Sequence, residues 1–196
     1  MRKADIRRET KETQIEVSVT LTGEGRAEIQ TGVGFFDHML THLARHGLFD
    51  LVVKATGDLH VDPHHTVEDV GICLGKAFLE AVGDPAGLVR FGHAVIPMDE
   101  ALAEVAVDFS GRPYLVFDTD LPRGRVGEFD IELTEEFLRA FSVQSRTTIH
   151  VMLRHGKNAH HCVEAIFKAL ARALGAALQR DPRVKDVPST KGMLEA

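Results

Sequence analysis

The stretch Asp62-Pro63-His64-His65-Thr66-Val67-Glu68-Asp69 returns 96 residues later as Asn158-Ala159-His160-His161-Cys162-Val163-Glu164-Ala165. No other feature restricts the fold so tightly, because it calls for two copies of one structural unit. Each copy opens with a good helix cap, Asp62 or Asn158, whose side-chain oxygen can accept the unpaired N–H groups of a first turn. Pro63 falls at the first helical position, where a missing N–H costs nothing. Apolar-periodic sequence follows, so each His-His pair is predicted in the first turn of a long helix. The first of these helices runs to about Val82 and the second to about Gln179. At 3.6 residues per turn, His65 shares a face with Glu68 and His161 with Glu164. His64 and His160 point about 100° away. Two such turns placed face to face would make two metal sites, one from His65, Glu68 and His160, the other from His161, Glu164 and His64.

The flanking sequence repeats in the same order. Thr10 to Thr22 alternates apolar and polar residues and reads as a half-buried strand, Gly23-Glu24-Gly25 as a hairpin turn, and Arg26 to Thr31 as its return strand. A helix from Asp37 to His46, closed by Gly47, carries His38, His42 and His46 on one stripe. Leu48 to Thr56 reads as a strand leading to the first long helix. Gly87 to Asp118 is strand-rich, and Leu121 to Asp130 reads as a mobile loop. A helix over Thr134–Gln144 and a strand over Thr147–Leu153 precede the second long helix. The expected class is therefore α+β, an internal duplication of two similar halves, each a small mixed sheet with two helices packed on one face. The halves are 1–92 and 93–180, fused in one domain, with a tail at 181–196.

The 196 residues carry a net charge of −6, which disfavours a general nucleic-acid or anionic-membrane surface. No apolar run approaches the 18 or so residues a membrane span needs. Two cysteines, Cys73 and Cys162, make no disulfide framework, so a reducing cytosolic compartment is expected. Histidine, with eleven copies, is the outlier. Imidazoles combined with carboxylates suit borderline divalent ions from manganese to zinc. A further ligand is expected from the shorter helix of each half: His38 in the first, Glu136 at the matching place in the second. Arg90, Arg112 and Lys191 lie in glycine-containing turns, where an anionic group can be gripped. On the residues alone, a dinuclear hydrolase of a phosphorylated metabolite and a metal-storage protein both stay open, although storage gives Glu12, Arg90, Arg112 and Lys191 no task.

Thr31-Gly32-Val33-Gly34-Phe35-Phe36-Asp37-His38, Gly57-Asp58-Leu59-His60-Val61 leading into the first His-His motif, the second motif with Phe167-Lys168-Ala169, and Ser189-Thr190-Lys191-Gly192 together resemble the imidazoleglycerol-phosphate dehydratase family of histidine biosynthesis. The resemblance runs in order along nearly the whole chain. It implies a hydro-lyase that converts imidazoleglycerol phosphate to imidazole acetol phosphate and water. It implies two Mn²⁺ per active site, held among His38, His64, His65, Glu68, Glu136, His160, His161 and Glu164, of which His38, His64, His65, Glu68, His160 and His161 also face the substrate. Many family members carry His at the position of Glu136. Glu12, His42, His46 and Lys168 are assigned to the substrate site, with Arg90, Arg112, Ser189, Thr190 and Lys191 around the phosphate. The resemblance further implies a cytoplasmic homo-oligomer, usually of 24 chains, with sites at subunit contacts. No carbonyl acidifies the proton to be lost, so the imidazole ring is the electron sink. A metal-stabilised imidazolate would expel the hydroxyl through a diazafulvene-like intermediate. Glu12, Glu68 and Glu164 are the expected catalytic carboxylates, with Glu12 the expected base and a metal-bound hydroxide its rival.

Overall fold

The structure, a computed structural model, describes residues 2–194. Two four-stranded sheets of identical topology carry the duplication. The first contains β1 (Lys3–Glu9), β2 (Thr13–Thr20), β3 (Ala27–Gln30) and β4 (Asp50–Gly57), in the order β1-β2-β4-β3. The second contains β5 (Phe91–Met98), β6 (Ala101–Asp108), β7 (Tyr114–Asp118) and β10 (Thr148–His155), in the order β5-β6-β10-β7. In each, three strands run antiparallel and the fourth pairs parallel. The expected class holds: α+β, with two similar halves.

The expected hairpin at Gly23–Gly25 is not formed. β4 lies between β2 and β3, and β3 runs parallel to β4. The Asp50 carboxylate at the start of β4 accepts the backbone N–H of Glu24 and of Arg26, at 2.8 and 2.9 Å. The segment therefore wraps across the end of β4 instead of folding back on β2. β1, absent from the sequence reading, is an edge strand whose charged residues alternate with the inward Ala4, Ile6 and Arg8. A strand this rich in charge hides its apolar period.

The helices are α1 (Gly34–Gly47), α2 (His64–Val82), α3 (Leu133–Ser145) and α4 (Ala159–Ala177). α1 begins earlier than expected. Asp37, inside its first turn, reaches back to accept the Thr31 N–H at 2.9 Å. Leu48, not Gly47, takes the left-handed conformation that ends it, at φ 59°. Gly47 is required for a different reason: a Cβ there would lie 2.3 Å from the Phe49 ring. The loop expected between Leu121 and Asp130 contains a short hairpin, β8 (Arg125–Val126) with β9 (Phe129–Asp130). It is anchored by Phe129, fully buried and 5.9 Å from Phe36, centroid to centroid.

Each sheet carries its two helices on its inner face, and the helical layers meet across the halves: α1 lies along α4, and α2 along α3. Glycines permit the close approach. A Cβ on Gly75 would meet the Phe141 carbonyl at 2.7 Å, and one on Gly175 the Gly47 carbonyl at 3.0 Å. Phe49, Phe78, Phe137, Phe141 and Phe167 fill the seam as a continuous aromatic core. This crossed arrangement puts the long helix of each half against the short helix of the other. Among the described residues no helix is long and apolar enough to cross a membrane. Cys73 and Cys162 are free and buried.

Candidate active site

Both His-His pairs open their helices as expected. Asn158 Oδ1 accepts from the backbone N–H of His160 and His161, at 2.9 and 3.3 Å, and Asp62 Oδ1 accepts from that of His64 at 2.7 Å. The expected side-chain pairing is different. Glu164 meets His160, not His161: its Oε2 lies 3.1 Å from His160 Nε2. Helical side chains lean toward the helix N-terminus, so a long side chain meets the residue four before it. The third member is His38 of α1, with Nε2 3.2 Å from the same Glu164 oxygen. It is not His64, because α1, not α2, lies along α4.

His38, His160 and Glu164 bring one donor atom each within 4.8 Å of one another, and no other such group occurs among the described residues. His42, one turn along α1, lies 3.2 Å from His38 Nε2 and 3.4 Å from Glu164 Oε1. His46 stacks on His42 at 5.3 Å. Lys168 Nζ is 2.6 Å from Glu164 Oε1. Burial works to raise the Glu164 carboxyl, but the Lys168 ammonium and the His42 and His160 rings outweigh it and hold the group at about 2. Burial is the larger influence on His42 and pushes it down to about 4, so at neutral pH its ring is uncharged. Burial also lowers His46.

By the repeat, His64 and Glu68 of α2 take the places of His160 and Glu164, and Glu136 of α3 takes that of His38. All three are partly exposed, and in the single chain they do not close into a comparable cluster. The second histidine of each pair faces elsewhere. His161 Nδ1 lies 2.7 Å from Glu100 and its Nε2 3.7 Å from Asp99. His65 Nδ1 lies 3.0 and 3.2 Å from the two Asp58 oxygens and 3.9 Å from Glu12. Asp58 and Glu100 were not singled out from sequence. The readable signal was that Glu100 directly precedes β6 as Glu12 directly precedes β2.

Arg90, Arg112, Ser189, Thr190 and Lys191 do come together, around one open hollow. The Arg90 guanidinium grips Asp108 with two bonds, at 2.7 and 3.1 Å, and donates to the Pro188 carbonyl at 2.8 Å, pinning the tail. Arg112 is 3.9 Å from Asp108. Ser189 Oγ accepts the Lys191 N–H at 3.2 Å. The Arg90 N–H bonds the Ala177 carbonyl at the far end of α4. At about 1.5 Å of rise per residue, the hollow lies about 26 Å along the helix from His160.

The fold and site define a class: a fused-repeat α+β protein with a histidine–carboxylate centre at the seam of its halves and a separate basic hollow. The sequence model of the imidazoleglycerol-phosphate dehydratase family matches residues 31–174. The chain belongs to that family. It is 57% identical to the imidazoleglycerol-phosphate dehydratase of Gluconacetobacter diazotrophicus over 194 residues, covering 98% of each chain. It is 58% identical to that of Thermoanaerobacter pseudethanolicus, also over 194 residues, covering 99% of this chain and 100% of the other. Its structure is similar to that of the Staphylococcus aureus enzyme, with TM-score 0.83 and 45% identity over 91% of this chain and 99% of the other. It is also similar to the Pyrococcus furiosus protein in complex with (S)-C348, with TM-score 0.84 and 42% identity over 96% and 100% of the two chains.

Proposed function

We propose that this chain is a metal-dependent hydro-lyase of histidine biosynthesis, converting imidazoleglycerol phosphate to imidazole acetol phosphate and water. The full-length likeness to named dehydratases supports the reaction. The observation that carries the metal reading is the His38–His160–Glu164 cluster, two imidazoles around one ionised carboxylate beside the neutral ring of His42. That donor set fits a borderline divalent ion, and we assign Mn²⁺, two per active site. His38, His160 and Glu164 would hold one; His64, Glu68 and Glu136 would hold the other. His65 and His161 face away from their own chain's clusters, which suits them to complete sites on neighbouring chains.

Bound there, the cations would supply Lewis acidity that favours negative charge on the imidazole ring. Having given up its N–H proton, the substrate ring would expel the hydroxyl, the two leaving together as water, to give a diazafulvene-like species. The exposed Glu12 carboxylate would take the side-chain proton while a ring nitrogen regains one, giving an enol that tautomerises to the ketone of the product. Arg112, Ser189, Thr190 and Lys191 hold the phosphate and so orient the chain, and Arg90 keeps the tail beside them. His42, His46 and Lys168 line the approach to the ring.

A glycerol-length spacer does not cover the distance of about 26 Å between cluster and hollow. That separation favours a site shared between chains over one chain binding both ends of the substrate. This supports a closed homo-oligomer, proposed at 24 chains. The two free, buried cysteines agree with a cytoplasmic setting. The test is turnover of imidazoleglycerol phosphate by chelator-stripped protein, with and without Mn²⁺, alongside particle size by light scattering. Turnover restored by metal in a large particle supports the proposal. A large particle that binds metal and never turns over refutes the dehydratase reading.

A further inference from the structure

The two halves handle the second histidine of each pair differently. In the second half, the turn glutamate Glu100 accepts from His161 Nδ1 at 2.7 Å through Oε2. Through Oε1 it accepts the N–H groups of Lys157 and Asn158, at 3.2 and 2.8 Å. In the first half the corresponding turn glutamate is Glu12, which stays 3.9 Å from His65 Nδ1 and is more than half exposed. Asp58 holds His65 in its place.

The source of Asp58 is visible in the loops. Gly57 and Gly156 are matching positions: a Cβ on the first would meet Thr66 Oγ1, and one on the second Cys162 Sγ, the same residue of each long helix. Between Gly57 and the cap Asp62 stand Asp58, Leu59, His60 and Val61; between Gly156 and the cap Asn158 stands Lys157 alone. The longer first loop brings a carboxylate to His65 that the second loop lacks. An ionised carboxylate only accepts, so in the neutral ring each Nδ1 held this way carries the hydrogen and Nε2 carries the lone pair.

We propose that Glu100 and Asp58 are positioning residues that hold His161 and His65 as Nε2 donors, and that Asp58 releases Glu12 for proton transfer. This rests on the metal reading above. The decisive variant is Glu100→Gln. Its amide oxygen can go on accepting from the loop N–H groups, so the first turn of α4 stays capped. Its NH₂ then faces Nδ1, which becomes an acceptor, and the hydrogen moves to Nε2.

The experiment measures imidazole ¹⁵N shifts of the metal-free protein and Mn²⁺ affinity by the resonance of free Mn²⁺, for wild type, Glu100→Gln, Asp58→Asn and Glu12→Gln. Glu100→Gln should swap the His161 tautomer and weaken binding of one ion by about 10–100-fold. Asp58→Asn should do the same at His65. Glu12→Gln should leave tautomers and affinity unchanged while turnover falls. Unchanged tautomer and affinity in Glu100→Gln, with wild type binding Mn²⁺, overturns this proposal alone. Metal weakened equally by Glu12→Gln overturns the division of labour. Wild-type protein that binds no Mn²⁺ overturns the metal reading and this proposal with it.

Discussion

Replacing Glu164 by Gln removes a charge and little else, since Gln matches the protonated acid in shape. In the folded chain the Glu164 carboxyl is held at about 2, against 4.5 for an unperturbed glutamate. At about 1.4 kcal/mol per unit, the ionised form stabilises the metal-free fold by about 3 kcal/mol. The sign follows from the lowered value. The contribution is complete above pH 4.5, falls as pH drops through that value, and is gone near pH 2. The wild-type advantage over Glu164→Gln should therefore be about 3 kcal/mol at neutral pH and shrink steadily below pH 4.5. Urea unfolding in the presence of chelator, at one protein concentration and several pH values, measures it. With Mn²⁺ present the gap should widen, because the variant also loses a ligand oxygen. Equal stability at neutral pH, or a gap that does not change with pH, would refute the claim that Lys168 and the surrounding rings hold Glu164 ionised.

The His42 ring should titrate near pH 4 in metal-free protein, followed by imidazole NMR. Its lowered value costs stability as pH falls from 6.5 towards 4, where only the unfolded chain takes up the proton; a midpoint above 6 would contradict the burial argument. Gly92→Ala would set a Cβ 1.9 Å from the Ala173 carbonyl oxygen, so β5 and α4 must separate, and thermal unfolding should show a loss of at least about 1–3 kcal/mol. Lys191→Ala should keep metal content and particle size while raising KM for the phosphorylated substrate, because the hollow and the cluster are separate. His160→Ala and Arg112→Ala should each be inactive alone. Subunits of the two mixed at equal ratio should recover about a quarter of wild-type turnover if each site draws its cluster and its hollow from different chains at random. No recovery after confirmed mixing would place both parts of a site in one chain.

The local parts of this fold were legible and the non-local parts were not. Asn158 caps α4, and Asp62, just ahead of Pro63 at the start of α2, accepts the His64 N–H; both contacts reach only two or three residues ahead, so a short window of sequence contains the whole interaction. The place of β3 depends on β4, which comes more than a helix later, and no turn composition at Gly23–Gly25 encodes that. At the site, helical periodicity placed both His-His pairs correctly but gave Glu164 the wrong partner. The lean of helical side chains brings His160 to Glu164, and the choice of His38 depends on which helix lies alongside α4. Arg90, Arg112 and Lys191 were readable as a group only by residue type; the Arg90–Pro188 bond that draws the tail to the hollow joins residues far apart in the chain.

The crossing of the helices explains why the duplication was not allowed to remain two independent halves. Because α1 lies along α4, the cluster at Glu164 takes His38 from the first half and His160 from the second, so neither half contains it alone. The repeat has also diverged around that cluster. The positions matching His42 and Lys168 hold Ala140 and Ile72, so of the three partners that keep Glu164 ionised only His160 has a counterpart, His64, on the helix that carries Glu68. The two proposed metal sites therefore begin from one ancestral pattern and differ in charge environment. His65 and His161, turned outward with Nδ1 already held, carry the same logic beyond the chain. Each has its Nδ1 held by a carboxylate of its own chain, and under the proposed reading its Nε2 is left for a cluster on a second copy.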